Sequence, residues 1–440
     1  MARSSTGRRH RPPPERVRTA LRLALLVLVT LLGVTRPVAA EDTRFSFGGH
    51  VKYRFLGTLL PNDSLLRELA DSPTLDHALE LRLNLSLDRG PWRFDAGYQA
   101  LGLYGDTIEL TRELPPEYQA FYPRYPRDPA RLVDLTHVIR DRGRLALVQR
   151  LDRLSFGYSG TKLVLRAGRQ ALSWGNGLVY TPMDILNPFD PAAVDKEYKA
   201  GDDMLYLQYL QDNGNDVQAA WVLRRNRSTG DVEADESTMA IKYHGFAGAG
   251  EYDLLVAQSY GDTVLGVGIS LPIGGAVWST DLVATETDRD TRAQLVTNLL
   301  YSWTWLGRNM SGAVEYYFNG FGQHDGRYDP LSIAANPDLA VRLARGELFA
   351  LGRQYVAANV LVEMSPLWTV TPTLLFNLED PSALLQLVTS YSLGDNMTFL
   401  ASVNLPVGPD GSEFGGIDAG VPGRYLSRSA SVFAQLAWYF

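Results

Sequence analysis

The sequence predicts an all-β fold: a closed, transmembrane, antiparallel β-barrel of about 18 strands (range roughly 16–18), with short turns at one end and long loops at the other. Three observations predict it. Apolar and polar residues alternate at a period of two along many segments. Tight turns and long connections take turns along the chain. Beyond the N-terminus, no apolar run approaches the roughly 20 residues of a membrane-spanning helix.

The N-terminus reads as a cleaved secretory signal over residues 1–40: an Arg-rich stretch from Arg3 to Arg22, an apolar run from Leu23 to Val34, and small residues at Val38-Ala39-Ala40. That leaves 41–440 as a single barrel domain. In segment 45–55, Phe45, Phe47, Val51, Tyr53 and Phe55 oppose Ser46, His50, Lys52 and Arg54. In 79–88, five leucines from Leu79 to Leu87 alternate with Glu80, Arg82, Asn84, Ser86 and Asp88. Segment 92–104 repeats the pattern, with Trp92, Phe94, Ala96 and Tyr98 against Arg93, Asp95 and Gln99. Charges share one face and aromatics gather at strand ends, as expected of a wall between lipid and water. Alternation is poor only in 144–158 and 249–260.

Turn chemistry marks 88–91, 159–161, 212–215, 247–250, 272–275, 307–309, 365–367 and 394–396 as tight turns. The long connections are 57–76, 105–143, 171–201, 322–350 and 406–427. Within one of them, Asn336-Pro337-Asp338 and Gly346 bracket a short capped helix. Segment 114–129, rich in Pro, Tyr and Arg, is read as a rim loop or a sugar- or anion-contacting surface.

Composition narrows the function. With no cysteine there are no disulfides, thiolate metal sites or N-terminal lipid attachment. The chain carries 42 Lys+Arg against 49 Asp+Glu; setting aside the +7 of residues 1–40 leaves about −14 on the rest, which disfavours a nucleic-acid partner. The six histidines (His10, His50, His77, His137, His244 and His324) form no recognisable catalytic or metal spacing; those nearest carboxylates in loops are His137 with Asp134 and His324 with Asp325. The carboxylates Asp202-Asp203 and Asp231, Glu233, Asp235 and Glu236 are the oxygen donors for a calcium alternative. No cofactor is expected.

The last strand, Ser431–Phe440, puts Val432, Ala434, Leu436, Trp438 and Phe440 on one face and ends on an aromatic carboxyl terminus. It resembles the closing strand of Gram-negative outer-membrane β-barrels. That resemblance implies an outer-membrane location, an assembly signal at Trp438 and Phe440 read by the barrel-assembly machinery, periplasmic turns and extracellular loops. Residues 166–191, with Gly168-Arg169-Gln170, Trp174-Gly175, Asn187-Pro188 and Asp190-Pro191, resemble a segment of porin-like families and, more loosely, of alginate-export barrels. The third outer loop of many porins enters the lumen, so 171–201 is expected to narrow the bore, with Asp184, Asp190, Asp195, Lys196 and Glu197 adding charge. Residues read onto the lumen are Lys52, Arg54, Glu80, Arg82, Arg93, Asp95, Arg166, Arg169, Gln170, Asp281, Gln294, Asn298, Glu315 and Glu363. The expected function is a passive outer-membrane channel for small hydrophilic solutes or an oligo- or polysaccharide, in contact with membrane lipid and compatible with a homotrimer. The alternatives are an outer-membrane barrel enzyme acting on lipid or peptide, and a structural or assembly barrel.

Overall fold

Strands that alternate apolar and charged residues satisfy both faces at once only if the sheet closes on itself, with lipid outside and water inside. A computed structural model shows this closure. It describes residues 43–114 and 124–440; the expected signal segment and most of the Pro- and Tyr-rich stretch lie outside the described residues. The strands are β1 (Thr43–Thr58), β2 (Thr74–Arg89), β3 (Trp92–Gly105), β4 (Thr136–Arg142), β5 (Leu145–Ser159), β6 (Leu163–Gln170), β7 (Asp202–Leu210), β8 (Asp216–Val222), β9 (Thr238–Ala247) and β10 (Gly250–Ser259). They continue as β11 (Asp262–Ile273), β12 (Ala276–Glu286), β13 (Thr291–Trp305), β14 (Arg308–Asn319), β15 (Gln354–Ser365), β16 (Trp368–Asn377), β17 (Ser382–Gly394), β18 (Met397–Val407), β19 (Ile417–Val421), β20 (Arg424–Leu426) and β21 (Ser431–Tyr439).

The main sheet is 19-stranded, and without β4 it is an 18-strand closed barrel in which sequential neighbours pair antiparallel. β1 meets β21 from His50↔Tyr439 to Thr58↔Ser431, and the seam ends with Gly49 and Phe440 exchanging main-chain hydrogen bonds of 2.9 and 3.1 Å. Gly49 is required there: a Cβ on it would stand 2.0 Å from the Arg82 carbonyl oxygen of β2. β19 and β20 form a separate hairpin inside the last outer loop.

Burial is inside out. Leu79, Leu282 and Val314 are 55%, 50% and 58% exposed, while their neighbours Glu80, Asp281 and Glu315 are 5%, 0% and 1% exposed. A water-soluble sandwich would show the reverse. On the last strand Val432, Leu436, Trp438 and Phe440 face outward, and Gln435 is buried inside. At the turn end Trp92 stacks on Phe156 (5.2 Å between centroids) and Tyr301 on Trp303 (6.0 Å), the aromatic girdle of a membrane boundary. No helix among the described residues is long and apolar enough to cross a membrane.

The two poorly alternating segments have separate causes. In 145–159 the register against β3 jumps from Arg153↔Gly97 to Leu151↔Tyr98, so Asp152 is an extra residue and the alternation changes phase there. In 250–259 the inner face turns apolar beyond Asp253: Leu255 and Ala257 belong to a buried cluster with Trp174, Met183 and Leu186 of the 171–201 segment. The outer connections vary widely in length. That from β10 to β11 is a tight turn at Tyr260-Gly261, both with positive φ (53° and 85°). The long 105–143 connection contains a helix, Asp106–Glu113, and β4, which pairs with the outer half of β5. The capped helix forms as read over Pro337–Arg345, with Asn336 accepting from the Leu339 N–H and Gly346 at φ 72°.

Candidate functional site

Between β6 and β7 the chain leaves the wall, and residues 171–201 reach inward-facing side chains on β1, β5, β8, β12, β14 and β17. Their first half is held by main-chain donors. The Glu315 carboxylate accepts from the backbone N–H of Leu178 (2.7 Å), Val179 (3.1 Å) and Tyr180 (2.7 Å). Asp281 accepts from the Asn176 backbone N–H and side-chain amide, both at 2.7 Å, and Asn298 donates to the Asn176 carbonyl at 2.9 Å. Trp174 donates to Gln218 at 2.7 Å. Below these contacts Trp174, Met183 and Leu186 pack on the inner faces of β7–β12, and Tyr180 stacks on Tyr317 at 4.6 Å.

The second half is held by side-chain charge. Lys52 on β1 pairs with Asp195 (2.8 Å) and Glu197 (2.6 Å), and the Tyr439 hydroxyl donates to Glu197 (2.8 Å). The Arg82 guanidinium lies 3.8 Å from the Tyr198 ring centroid, and Gln386 donates to the Ala192 carbonyl at 3.1 Å. The segment is therefore matched to the wall electrostatically. Its N–H groups meet the acids of β12 and β14, and its carboxylates meet the base of β1.

Lys199, near the segment's end, gathers its start and its middle. Both Asp184 carboxylate oxygens stand 2.6 Å from Lys199 Nζ, which also donates to Ser173 Oγ (3.0 Å) and the Leu172 carbonyl (2.5 Å). Burial pushes the Asp184 carboxyl up to about 6 against the pull of Lys199. Asp184 thus spends its charge on Lys199. Asp190 accepts from the Ala192 N–H at 2.9 Å, which shapes a turn.

The remaining sequence-read residues fall into several settings. Arg54 pairs with Glu80, which also bonds His50 (3.2 Å) and Gln99 (2.8 Å). Arg82 reaches Asp152 at 2.8 Å, and Arg153 contacts the same carboxylate at 3.1 Å. Arg93 and Asp95 pair at 2.9 Å near the turn end, with Arg93 half exposed. The Arg166 guanidinium lies 5.0 Å from the Tyr206 ring centroid, and Gln170 donates to main-chain carbonyls. Gln294 donates to the Tyr317 hydroxyl at 2.7 Å, and Glu363 accepts from Asn309 at 2.9 Å.

Arg169 is a correction. Three residues from Arg166 on a strand, it points to the opposite side, and its side chain is 0% exposed, enclosed by Asp203 (2.9 Å), Asp128 (2.6 Å) and the Val133 carbonyl. It fastens 128–135 into the wall beside β6 and faces no open bore. The Asp202-Asp203 alternative for calcium changes character too. Asp202 is paired with Arg224 (2.7 Å) and Arg131 (3.4 Å), and Asp203 with Arg169, so cations already sit on both carboxylates. No metal-like cluster of His, Asp and Glu occurs among the described residues.

Sequence reasoning missed Asp152, hidden by the bulge, and Asn176, Tyr180 and Tyr198, which gain meaning only when the loop is placed. Tyr317 was legible, because it shares the inward parity of Glu315.

The crystal structure of Acinetobacter baumannii OccAB3 aligns with a TM-score of 0.51 and 10% identity over 91% of this chain and 100% of that chain. The fold is that of a transmembrane β-barrel. OccAB1 of the same organism aligns at 0.51, with 9% identity over 91% and 97%, and OccAB4 at 0.50, with 9% identity over 92% and 100%. No protein-family profile and no curated protein sequence matches the chain. At such identities the likeness concerns the fold alone.

Proposed function

We propose that this protein is a porin-like outer-membrane channel for small hydrophilic solutes, narrowed by residues 171–201. The observation that carries the proposal is the attachment of that segment to inward-facing side chains across the barrel, Lys52 of β1 and Asp281 of β12. A charged inner face that binds an inserted loop by its polar groups leaves a water-filled path beside it, and passage down a gradient needs no catalytic group. The outward belt of leucines supports the same assignment. In this scheme 1–40 is the cleaved signal, 41–440 one barrel domain, and Trp438 and Phe440 the assembly signal.

Deleting 176–195 and recording single-channel conductance in planar bilayers tests the proposal. Conductance should rise severalfold. An unchanged conductance would refute the narrowing, and none at any voltage would refute the channel.

A further inference from the structure

On the outer side of the inserted segment a cavity opens between residues 179–191, the inner faces of β10–β14 and residues 342–350 of the outer loop after β14. Its cavity volume is about 80 Å³, and it opens to solvent through its mouth. Phe189 and Phe349 line it, and Phe349 is 40% exposed.

Two of its polar lining groups, Arg342 and Gln294, are partnered. Arg342 bonds Asp262 at 2.5 Å and lies 4.0 Å from the Phe321 ring centroid, and Gln294 donates to the Tyr317 hydroxyl. Glu347 Oε1 is sealed from solvent and has no hydrogen-bond partner. Its nearest cation is Arg345 Nη1 at 3.9 Å, and Arg342 Nε stands 3.9 Å from the other carboxylate oxygen. Both distances are beyond hydrogen-bond reach. The charge of Glu347 is therefore compensated, while its capacity to accept a hydrogen bond is not. A cationic amine would meet two guanidinium groups already in place, and an anion would meet a carboxylate. A neutral hydroxyl donor suffers neither penalty.

We propose that this cavity is a binding site for a neutral sugar ring, with Phe189 and Phe349 covering its C–H faces and Glu347 accepting from a hydroxyl. The site rests on the channel proposed above and gives it a solute class. An apolar ring face against an aromatic side chain recovers the exposure of Phe349, and the hydroxyl fills the gap at Glu347.

Equilibrium dialysis of the purified full-length barrel with labelled D-glucose tests the site, with single-channel current block by glucose as the second readout. Mannitol, which has similar hydroxyls but no ring face, and 1,4-diaminobutane serve as comparison solutes. Glucose should bind saturably and block current, and mannitol and the diamine should not. Phe349→Ala and Glu347→Leu should each weaken glucose binding by about tenfold, with assembly of each variant checked by resistance to SDS without heating. Equal effects of glucose and mannitol, or variants that bind glucose like the parent, would overturn the site. Binding without conductance would refute the channel and keep the site, whereas conductance without binding would refute the site and keep the channel.

Discussion

Glu315→Gln should unfasten the first half of the inserted segment. In the wild type one carboxylate oxygen accepts from the Leu178 N–H (2.7 Å) and the Asn298 amide (3.4 Å), and the other from the Val179 (3.1 Å) and Tyr180 (2.7 Å) N–H groups. A glutamine keeps one acceptor oxygen and turns an NH₂ group toward donors, so at least one charge-assisted bond is lost and the others lose their charge. At about 1.5–3 kcal/mol per such bond, the attachment weakens by about 2–4 kcal/mol. Since about 1.4 kcal/mol is a factor of ten, the detached population grows about 30- to 1,000-fold. The wall itself should be unaffected, because the β13–β14–β15 ladders use only main-chain groups. Single-channel recording should show new, longer dwells at high conductance, and limited proteolysis should cut within 176–186 at a higher rate. A Glu315→Gln channel with the parent's conductance histogram and cleavage rate would refute the idea that these hydrogen bonds hold the segment in place.

Lys52→Met should free the second half: the two pairs to Asp195 and Glu197 are part-buried, and a neutral side chain leaves the acids facing each other. Current noise should increase, and raising the salt from 0.1 to 1 M should increase parent noise but not variant noise; equal noise in both would count against an electrostatic hold. In the last outer loop burial pushes the Glu413 carboxyl up to about 7, although Tyr355, the Leu351 N–H and Asn377 donate to it. A raised folded pKa means this contribution to loop stability is full below the usual carboxylate range and is lost as pH rises through about 7. Hydrogen exchange in 408–416 should quicken from pH 5 to 8 beyond the intrinsic chemical trend, and Glu413→Gln should remove the excess; an excess that persists in the variant would assign it to another group. Removing Phe440 takes away the main-chain partner of Gly49 and one outward ring, so assembled yield should fall far more than the conductance of barrels that form. A normal yield with altered conductance would reverse that assignment.

The alternation of Leu79–Leu87 with Glu80–Asp88 was enough to specify a strand with one apolar face, and the rhythm of tight turns and long loops added the barrel. Turn residues were equally legible, since glycine and asparagine at positive φ act locally. The inward parity of Lys52, Arg82 and Glu315 followed from the same period. Arg169 did not, because i and i+3 on a strand fall on opposite sides, and its surroundings come from 128–135, distant in sequence. The bulge at Asp152 and the apolar inner face at Leu255 looked like defects of pattern. They mark where the register shifts and where the inserted segment packs.

The sequence by itself determined the container: a strand period, a turn–loop rhythm and a charged inner face are local properties that survive without knowing what touches what. Only the tertiary structure decided how the bore is filled. Glu315 reads as one more wall carboxylate until three N–H groups from residues more than a hundred positions away meet it. Such contacts depend on where a long loop lands, and a loop held by long-range hydrogen bonds and ion pairs leaves no period in the sequence to announce it.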